Sequence, residues 1–434
     1  MPLPPGPRAP ALLQTWRFLR DPYGFAAECA RRFGDRFTWR LAGGRALVIV
    51  SGPPAVRDIF AAPAERLAGG AGRFVFRPFV EDGSLLTMSG PPHAEARRAL
   101  APSLHGAPAR ALAPTIAAAT VRALARLPAG RPVRVAAVPL FEAIALEVIL
   151  RALFGLDDPA RIDAAARVLG AYTAAVTPLT LASPLFRLDL GPSSIGGRLR
   201  RARAAVERLL EDLAPRAAGP ARGQLLTLLL TGHETVATAL AWATYWILAT
   251  PGVRERVVAD LHAVGAADDP GAAAAAADAA RAPYLDAVCR ETLRIRPVVP
   301  GLDRLAVAPC TIGGLAVEPG TYVGLSFFLE HHRPETYPSP EAFRPERFLE
   351  RTFTPFEFMP FGGGTRRCLG DALALIEMRV ALAALLAGVD DLTLATPGPV
   401  RPVRRNVTVG PSRLRVRLRS RRGGRARGGR PPRP

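Results

Sequence analysis

The chain has 434 residues, enough for one large catalytic domain or for two to three smaller domains. Hydrophobic residues make up 49%, charged residues 22% and aromatic residues 7%, which excludes an intrinsically disordered chain and a protein with many membrane spans. The net charge of +20 comes from 57 basic residues, all of them Arg, against 37 acidic residues, and 13 of the Arg lie in the last 34 residues, where no acidic residue occurs. The basicity is therefore mostly a property of the C-terminal end.

Apolar residues recur at spacings of three and four along much of the chain, which predicts a mainly α-helical protein. The predicted helices lie around residues 95–126, 135–154, 196–214, 225–249, 252–264, 283–295 and 370–387. Alternating apolar residues predict a hairpin at 36–50 and short strands around 303–325. A last pair of strands, 405–409 and 413–418, is predicted to bracket a turn at Gly410-Pro411. The predicted fold class is mainly α with a small β-region (α+β) contributed from both ends of the chain.

Residues 225–250 are the most apolar stretch, and hydropathy alone proposes a membrane span there. Glu234 lies near the middle, where a carboxylate is costly in a bilayer, so we interpret the stretch as a helix through the core of a globular protein. The N-terminus lacks the continuous apolar run of a signal peptide, and the four cysteines are too widely spaced for a disulfide framework or a structural zinc site. We expect a cytoplasmic protein without a membrane anchor.

Residues 1–418 are predicted to form the folded domain. From about residue 419 the sequence has no apolar periodicity, and 419–434 is predicted to be a disordered Arg-rich tail. A basic tail can attract nucleic acid, but we do not expect nucleic acid to be a partner of the domain itself.

The strongest chemical signal is the glycine-rich segment FMPFGGGTRRCLGDALALIEMR, residues 358–379. Its cysteine, Cys368, opens an apolar helix. This position suits a thiolate metal ligand, because a helix N-terminus favours the negative sulfur and nearby backbone N–H groups can donate to it. The alternatives are a buried inert cysteine and a phosphate-binding loop, although no Lys-Ser or Lys-Thr follows the glycines as it does in a Walker loop.

Phe361, Gly364, Arg366, Cys368 and Gly370 fill the pattern F-x-x-G-x-R-x-C-x-G, and here the chain resembles the cytochrome P-450 family of haem-thiolate monooxygenases. The resemblance implies that Cys368 is the proximal iron ligand of a haem b (iron protoporphyrin IX). It also implies that Phe361 packs beside the porphyrin, that the glycines let the loop lie flat against it, and that Arg366 pairs with a propionate. In the implied fold, the haem lies between a long central helix and the helix that follows the cysteine loop.

A second motif consists of Glu291 and Arg294, which are three residues apart and hence on one helix face. An E-x-x-R pair alone is commonly a solvated surface pair, but the resemblance groups it with Arg347 of a later P-E-R-F segment. A buried Arg-Glu-Arg cluster is tolerated only when each charge is paired, so the three residues are predicted to be a structural brace that holds the cysteine loop.

The long apolar helix carries the segment 231–236, Thr-Gly-His-Glu-Thr-Val, which is similar to the family's oxygen-activation motif. The resemblance implies a catalytic proton relay in which Thr235 contacts the dioxygen and Glu234 supplies protons through water. The alternative is a helix kink stabilised by the Thr235 hydroxyl. Two residues depart from the family pattern: Thr231 stands where Ala or Gly is usual, and Val236 where Thr or Ser is common.

Further residues are predicted to bind the haem propionates, although each by itself would be an ordinary surface residue. They are His93 and Arg97, four apart on one helix face, Arg304 after the E-x-x-R helix, and His332, which alternatively caps a turn. The predicted substrate pocket is apolar, which implies a hydrophobic small-molecule substrate. Its residues are Phe74, Phe76, Leu228, Thr231, Val298, Val299 and Leu302, with Thr408 and Val409 as further candidates.

The resemblance implies a monooxygenase that inserts one oxygen atom of O2 into its substrate. No flavin- or nicotinamide-binding segment is evident, so electrons are expected from a separate ferredoxin or flavodoxin and its reductase, docking on an Arg-rich face near Arg366 and Arg367. Around residues 211–224, a helix and loop usual in the family are missing from the lid region. The alternatives are a peroxide-dependent or non-oxygenating haem-thiolate enzyme, and a haem-binding protein with impaired turnover.

Overall fold

The computed structural model describes residues 3–42, 44–69, 79–80, 83–128, 130–177, 179–180, 184–216, 222–266, 273–405 and 407–420. Three predictions fall partly or wholly outside these residues. They concern the pocket residues Phe74 and Phe76, residues 217–221 of the shortened connection, and residues 421–434 of the tail.

Helices dominate the described chain, as the sequence predicted. Their bounds are α1 Ala11–Arg20, α2 Pro22–Phe33, α3 Pro53–Ala61, α4 Gly90–Leu104, α5 Gly106–Ala111, α6 Ala113–Ala125, α7 Ala137–Phe154, α8 Pro159–Ala175, α9 Ile195–Leu213, α10 Arg222–Ala249, α11 Val253–Ala263, α12 Ala273–Ala279, α13 Pro283–Ile295, α14 Phe327–His331, α15 Arg347–Glu350 and α16 Asp371–Ala387. The segment predicted as one helix at 95–126 is divided into α4, α5 and α6. The first break follows from an extended backbone at His105 and a φ of +61° at Gly106.

The strands form small sheets at the sides of the helical body. Their bounds are β1 Arg36–Leu41, β2 Arg45–Val50, β3 Leu67–Ala68, β4 Val133–Ala136, β5 Gly301–Ala306, β6 Cys310–Ile312, β7 Leu315–Val317, β8 Tyr322–Ser326, β9 Val389–Leu394, β10 Pro402–Arg405, β11 Thr408–Pro411 and β12 Arg415–Ser420. The largest sheet has the order β1-β2-β8-β5-β3, and β4-β12-β9, β10-β11 and β6-β7 form the others. The predicted hairpin at 36–50 is confirmed, with Arg36 opposite Val50.

The predicted turn at Gly410-Pro411 is wrong. Both residues lie in β11, which pairs with β10 so that Val403 faces Gly410. A Gly-Pro pair is typical of turns, but here pairing with β10 holds both residues in a strand. Strand β12 also extends to Ser420, two residues past the predicted domain end, because it pairs with β4 on one side and β9 on the other.

Helix α10 passes through the main hydrophobic core. It packs closely on α7, because Gly232 has no side chain at a point where a Cβ would lie 3.1 Å from Ile149 Cδ1. Trp242 is buried, and its Nε1 donates to Val409 O at 2.9 Å. The helix is long and apolar enough to cross a membrane, yet 67% of its most apolar window is buried inside the protein. The interpretation as a core helix is therefore confirmed.

Candidate functional site

The loop that carries Cys368 is closed by a hydrogen bond from the Cys368 N–H to Phe361 O at 2.8 Å. The loop lies tightly against α3. A Cβ on Gly363 would overlap the ring of Phe60, and one on Gly364, whose φ is +62°, would overlap the Phe60 carbonyl. The glycine run therefore allows the loop to approach α3 closely. Cys368 lies at the end of this loop, just before the first turn of α16.

Cys368 is exposed to solvent, although many protein atoms lie around its thiol. Burial raises the pKa of the Cys368 thiol. The backbone N–H of Gly370 and the positive charges of Arg97 and Arg367 lower that pKa, and Asp371 raises it. A metal cation bound to the sulfur would complete the stabilisation of the thiolate.

The middle of α10 presents a partly exposed strip, made of Thr231, Gly232, Glu234 and Thr235, between two largely buried stretches at 224–229 and 236–244. A partly exposed strip on a core helix marks an internal cleft. Thr235 Oγ1 donates to Thr231 O at 2.8 Å, the bond that the helix-kink alternative requires. This bond uses the only proton of the hydroxyl and leaves its lone pairs to accept a proton donor in the cleft. It is therefore compatible with the proton relay.

The carboxyl group of Glu234 is held from another part of the chain. Thr408 Oγ1 lies 2.8 Å from Glu234 Oε1, and Thr408 itself is fully buried. The neighbouring His233 is buried as well, and its Nδ1 contacts Leu229 O at 2.5 Å. Burial lowers the pKa of His233, so it is neutral at pH 7. Sequence reasoning proposed Thr408 only as a pocket wall, because no local pattern links residues so far apart in the chain.

Two residues of the predicted propionate set lie around the cysteine loop. On α4, Arg97 interacts electrostatically with Cys368. Arg366 donates from Nη1 to Leu85 O at 2.9 Å, and its Nη2 contacts Met88 O, so this arginine ties the loop to the segment that enters α4. Cationic side chains therefore lie beside the cysteine.

The other predicted residues of this set are buried. His93, on α4 with Arg97, is 6% exposed, and Arg304 in β5 is 5% exposed. Arg304 Nη1 donates to Asp303 O at 2.9 Å.

The role predicted for His332 stays a prediction, and its buried Nε2 has no hydrogen-bond partner among the residues that the structure describes. Its ring lies against Phe328 with centroids 3.9 Å apart, and its Nδ1 contacts Phe328 O at 2.8 Å. Burial, with a smaller effect from Arg294, lowers the pKa of His332 to about 3. The Nδ1 contact, to a carbonyl of the preceding helix, resembles the capping alternative.

The predicted brace is assembled in the core. Arg294 makes a two-pronged pair with Glu291, Nε to Oε2 at 2.7 Å and Nη2 to Oε1 at 2.8 Å, and Arg347 Nε donates to Glu291 Oε1 at 3.1 Å. All three side chains are buried, so the contacts are shielded from water.

The brace is connected to the cysteine loop through His331, which sequence reasoning missed. Arg294 Nη1 donates to His331 O at 2.9 Å, and the Met359 N–H donates to His331 Nε2 at 3.0 Å. Burial holds the pKa of His331 well below its usual range, so Nε2 can accept this bond. Met359 precedes Phe361 by two residues, so the brace reaches the start of the loop.

The predicted pocket residues that the structure describes divide into two groups. Thr231, Val299 and Leu302 are partly exposed, as pocket walls would be. Leu228 and Val298 are buried, at 8% and 7% exposure. The carbonyl of Val298 accepts from the Val409 N–H at 2.8 Å, and Val409, like Thr408, is fully buried. Val409 of β11 therefore supports Val298 from the buried side of the predicted pocket.

A family model described as cytochrome P-450 matches residues 3–215 and 220–389. The chain belongs to the cytochrome P-450 family. The match is interrupted between residues 215 and 220, within the connection that the sequence predicted to be short. Membership supports a haem-thiolate cofactor and an oxygenase type of oxidoreductase.

Similar proteins include two from Mycobacterium tuberculosis. The protein named cytochrome P-450 135B1 is 34% identical, over 97% of this chain and 92% of the relative. The protein named cytochrome P-450 137 is 32% identical, over 90% of this chain and 84% of the relative. Among solved structures, the retinoic acid-bound cyanobacterial CYP120A1 has a TM-score of 0.80 at 26% identity and covers 97% of this chain and 100% of its own. The predicted P-450 fold is confirmed.

The residues present in this P-450 fit a haem-thiolate group. Cys368 is exposed, the three glycines at 362–364 before it carry no side chain, and Arg97 lies close enough to interact with the sulfur. A partly exposed strip with an acid and an alcohol lies on α10. Sulfur at a helix N-terminus is a soft, negatively charged ligand that suits iron.

Proposed function

We propose that this cytochrome P-450 is a monooxygenase that inserts one oxygen atom of O2 into a hydrophobic small molecule and holds haem b through Cys368. When bound, the haem supplies the activation of O2, which consumes two electrons and two protons per turnover. The observation that carries the proposal is the pairing of Glu234 with Thr235 on the partly exposed strip of α10. Burial of a carboxyl group in a core helix costs free energy. The position of Glu234 is explained when its carboxyl group supplies protons to a reaction in the adjoining cleft.

Each group of residues has a part in this proposal. Cys368 supplies a negatively charged sulfur ligand, and the backbone N–H of Gly370 donates a hydrogen bond to the sulfur, which stabilises that charge. Arg97 and Arg366, with His93 and Arg304, bind the propionates and fix the ring. The Glu291–Arg294–Arg347 brace holds the cysteine loop in position through the contacts of His331.

The proposed substrate is hydrophobic. Thr231, Val299 and Leu302 offer mostly apolar surface to the cleft, and burial of apolar surface there supplies the binding energy. The similar cyanobacterial protein was solved with retinoic acid bound, which supports this substrate class. Thr231 adds a side chain where the family commonly has a smaller one, and its hydroxyl is turned back to Thr227 O at 2.7 Å, so it presents its methyl group rather than a free donor.

The proposed electron donor is a separate acidic ferredoxin or flavodoxin with its reductase. Arg367 is 42% exposed, directly beside Cys368, although Asp371 neutralises part of its charge. Positive charge near the cysteine favours the approach of an acidic protein to the sulfur side of the haem. A cytoplasmic location is part of the proposal, and the four unpaired cysteines support a reducing compartment.

The proposal is tested by supplying electrons and following the oxygen atom. With a ferredoxin, its reductase and NADPH, we expect the purified protein to place one atom from labelled O2 in a product of a hydrophobic compound that shifts its optical spectrum. The Glu234→Gln and Thr235→Val variants should lower product formed per NADPH by about 10²-fold, because a general acid contributes that much.

The matched control is Thr244→Val. Thr244 lies on the same helix, is buried, and makes the same type of bond, to Leu240 O at 2.8 Å. It should leave coupling unchanged. Product that forms only with hydrogen peroxide, equally well in the Glu234→Gln variant, would replace the proposal by the peroxide-dependent alternative. Haem uptake without any product would favour the alternative of a haem-binding protein.

A further inference from the structure

The hydroxyl of Thr408 lies between two oxygen atoms. Glu234 Oε1 is 2.8 Å from Thr408 Oγ1, and the Arg405 carbonyl oxygen is 3.1 Å from it. Thr408 is fully buried, so bulk water does not compete for either contact. A hydroxyl carries one proton and can donate to only one of these oxygens at a time, while it accepts from a donor on its other side.

These contacts allow two hydrogen-bond arrangements with the same heavy-atom positions. When Glu234 is ionised, Thr408 donates its proton to the carboxylate. When Glu234 is protonated, the acid donates to Thr408 Oγ1, and the hydroxyl turns to donate to Arg405 O. A Lys or Arg at this position would hold only the ionised form, because it has no acceptor. The hydroxyl can hold the acid in either form.

The position of this hydroxyl is fixed by the contacts of β11. Trp242 Nε1 on α10 donates to Val409 O at 2.9 Å, and the Val409 N–H donates to Val298 O at 2.8 Å. The residue beside Thr408 is therefore bonded both to the helix that carries Glu234 and to the segment before β5. Such contacts prevent the hydroxyl from drifting away from the acid.

Few charges surround this cluster among the described contacts. Arg405 Nη1 lies 3.7 Å from Glu142 Oε1 on α7, which attaches the end of β10 to the helix packed on α10. His233, the neighbour of Glu234, interacts with Glu142 and is neutral at pH 7 because burial lowers its pKa. Glu234 is the titratable side chain that the Thr408 hydroxyl contacts directly.

We propose that Thr408 is a positioning residue of the proton relay, which holds the carboxyl group of Glu234 in one place in both of its protonation states. The proton that Glu234 gives up toward Thr235 is replaced from solvent, and Thr408 gains and loses none over a turnover. This inference rests on the proposed function and extends it to a residue that has no sequence motif.

The test compares Thr408→Val, which removes the hydroxyl at nearly equal volume, with Thr408→Ser, which keeps it. The full-length holoenzyme is titrated by infrared spectroscopy, and the Glu234 band is identified by its loss in Glu234→Gln. Both forms lose a hydrogen bond in Thr408→Val, but the bond to the ionised form is charge-assisted and stronger, so we expect the midpoint of this band to move to higher pH and to return in Thr408→Ser. Product per NADPH should fall by about tenfold in Thr408→Val and recover in the serine variant.

The Thr244→Val variant is the control for loss of a buried hydroxyl, and it should change neither readout. If valine prevents folding, Thr408→Ala takes its place with the same expectations. An unshifted band and unchanged coupling in Thr408→Val, with Glu234→Gln impaired, would overturn the inference and leave the proposed function standing. An equal shift in Thr408→Ser would also overturn it, since shape rather than the hydroxyl would then be responsible. Normal coupling in Glu234→Gln would overturn the relay itself.

Discussion

Glu291 balances two guanidinium groups in a place that water does not reach. Its Oε1 accepts from Arg294, Arg347 and the backbone N–H of Arg344, and its exposure is 0%. Removal of the acid would leave two buried positive charges without their partner, which is far more costly than removal of an exposed ion pair.

We therefore expect Glu291→Ala to lower the free energy of unfolding by about 3–5 kcal/mol and to reduce haem content. The matched control is Glu350→Ala. That residue pairs with Arg344 at 2.7 Å in an exposed position, so its loss should cost less than about 1 kcal/mol. Urea unfolding of both variants measures the difference. Equal and small losses would show that the buried cluster does not brace the fold.

Among single residues, the sequence alone identified those that belong to a short local motif. Cys368, Glu291 and Arg294 were found in this way, because each belongs to a short motif with fixed spacing. Thr408 was proposed only as a pocket wall, and its contact with Glu234 was not predicted, because that contact joins residues 174 positions apart. His331 was passed over in favour of His332, since only the packing shows which of two adjacent imidazoles reaches the cysteine loop.

At the scale of elements, α16 carries an acid that its apolar sequence does not explain. Glu377 is 3% exposed, and its Oε1 has no hydrogen-bond partner in the part of the chain that the structure describes. Burial raises the pKa of Glu377 to about 8. Between the ordinary glutamate pKa and pH 8, the folded protein therefore binds a proton that the unfolded chain releases, and the stability of the fold decreases as the pH rises.

We expect Glu377→Gln to remove this pH dependence. Relative to the natural protein, the variant should gain about 3 kcal/mol of unfolding free energy between pH 5 and pH 7.5, because each pH unit contributes about 1.4 kcal/mol. Glu335→Gln, at an exposed glutamate, should gain nothing over the same range. Thermal or urea unfolding at the two pH values measures the gain. A difference between variant and natural protein that is the same at both pH values would contradict the assignment.

The elements that periodicity predicted best include the long helices α7 and α10, which are apolar on most sides, and α13, which has one clear apolar face. The boundaries between α4, α5 and α6 were not predicted, and one helix was expected over all three, because the apolar spacing continues through the break before Gly106. The turn at Gly410-Pro411 failed for the opposite reason. Local composition favours a turn there, but pairing with β10 outweighs it.

At the scale of the whole molecule, the α+β class followed from the sequence, whereas the sheets did not. Strand β12 pairs with β4 and β9, and β2 runs parallel to β8, so each sheet joins distant parts of the chain. Pairing of this kind depends on which surfaces the packed helices leave open.

The optical spectrum of the reduced, carbon monoxide-bound protein tests the central claim, that Cys368 supplies a thiolate to haem iron, most directly. The claim predicts a Soret band that is strongly red-shifted relative to that of the Cys368→His variant measured under the same conditions. A band in the natural protein that coincides with that of the histidine variant, or a natural protein that takes up no haem when haem is abundant, would contradict it.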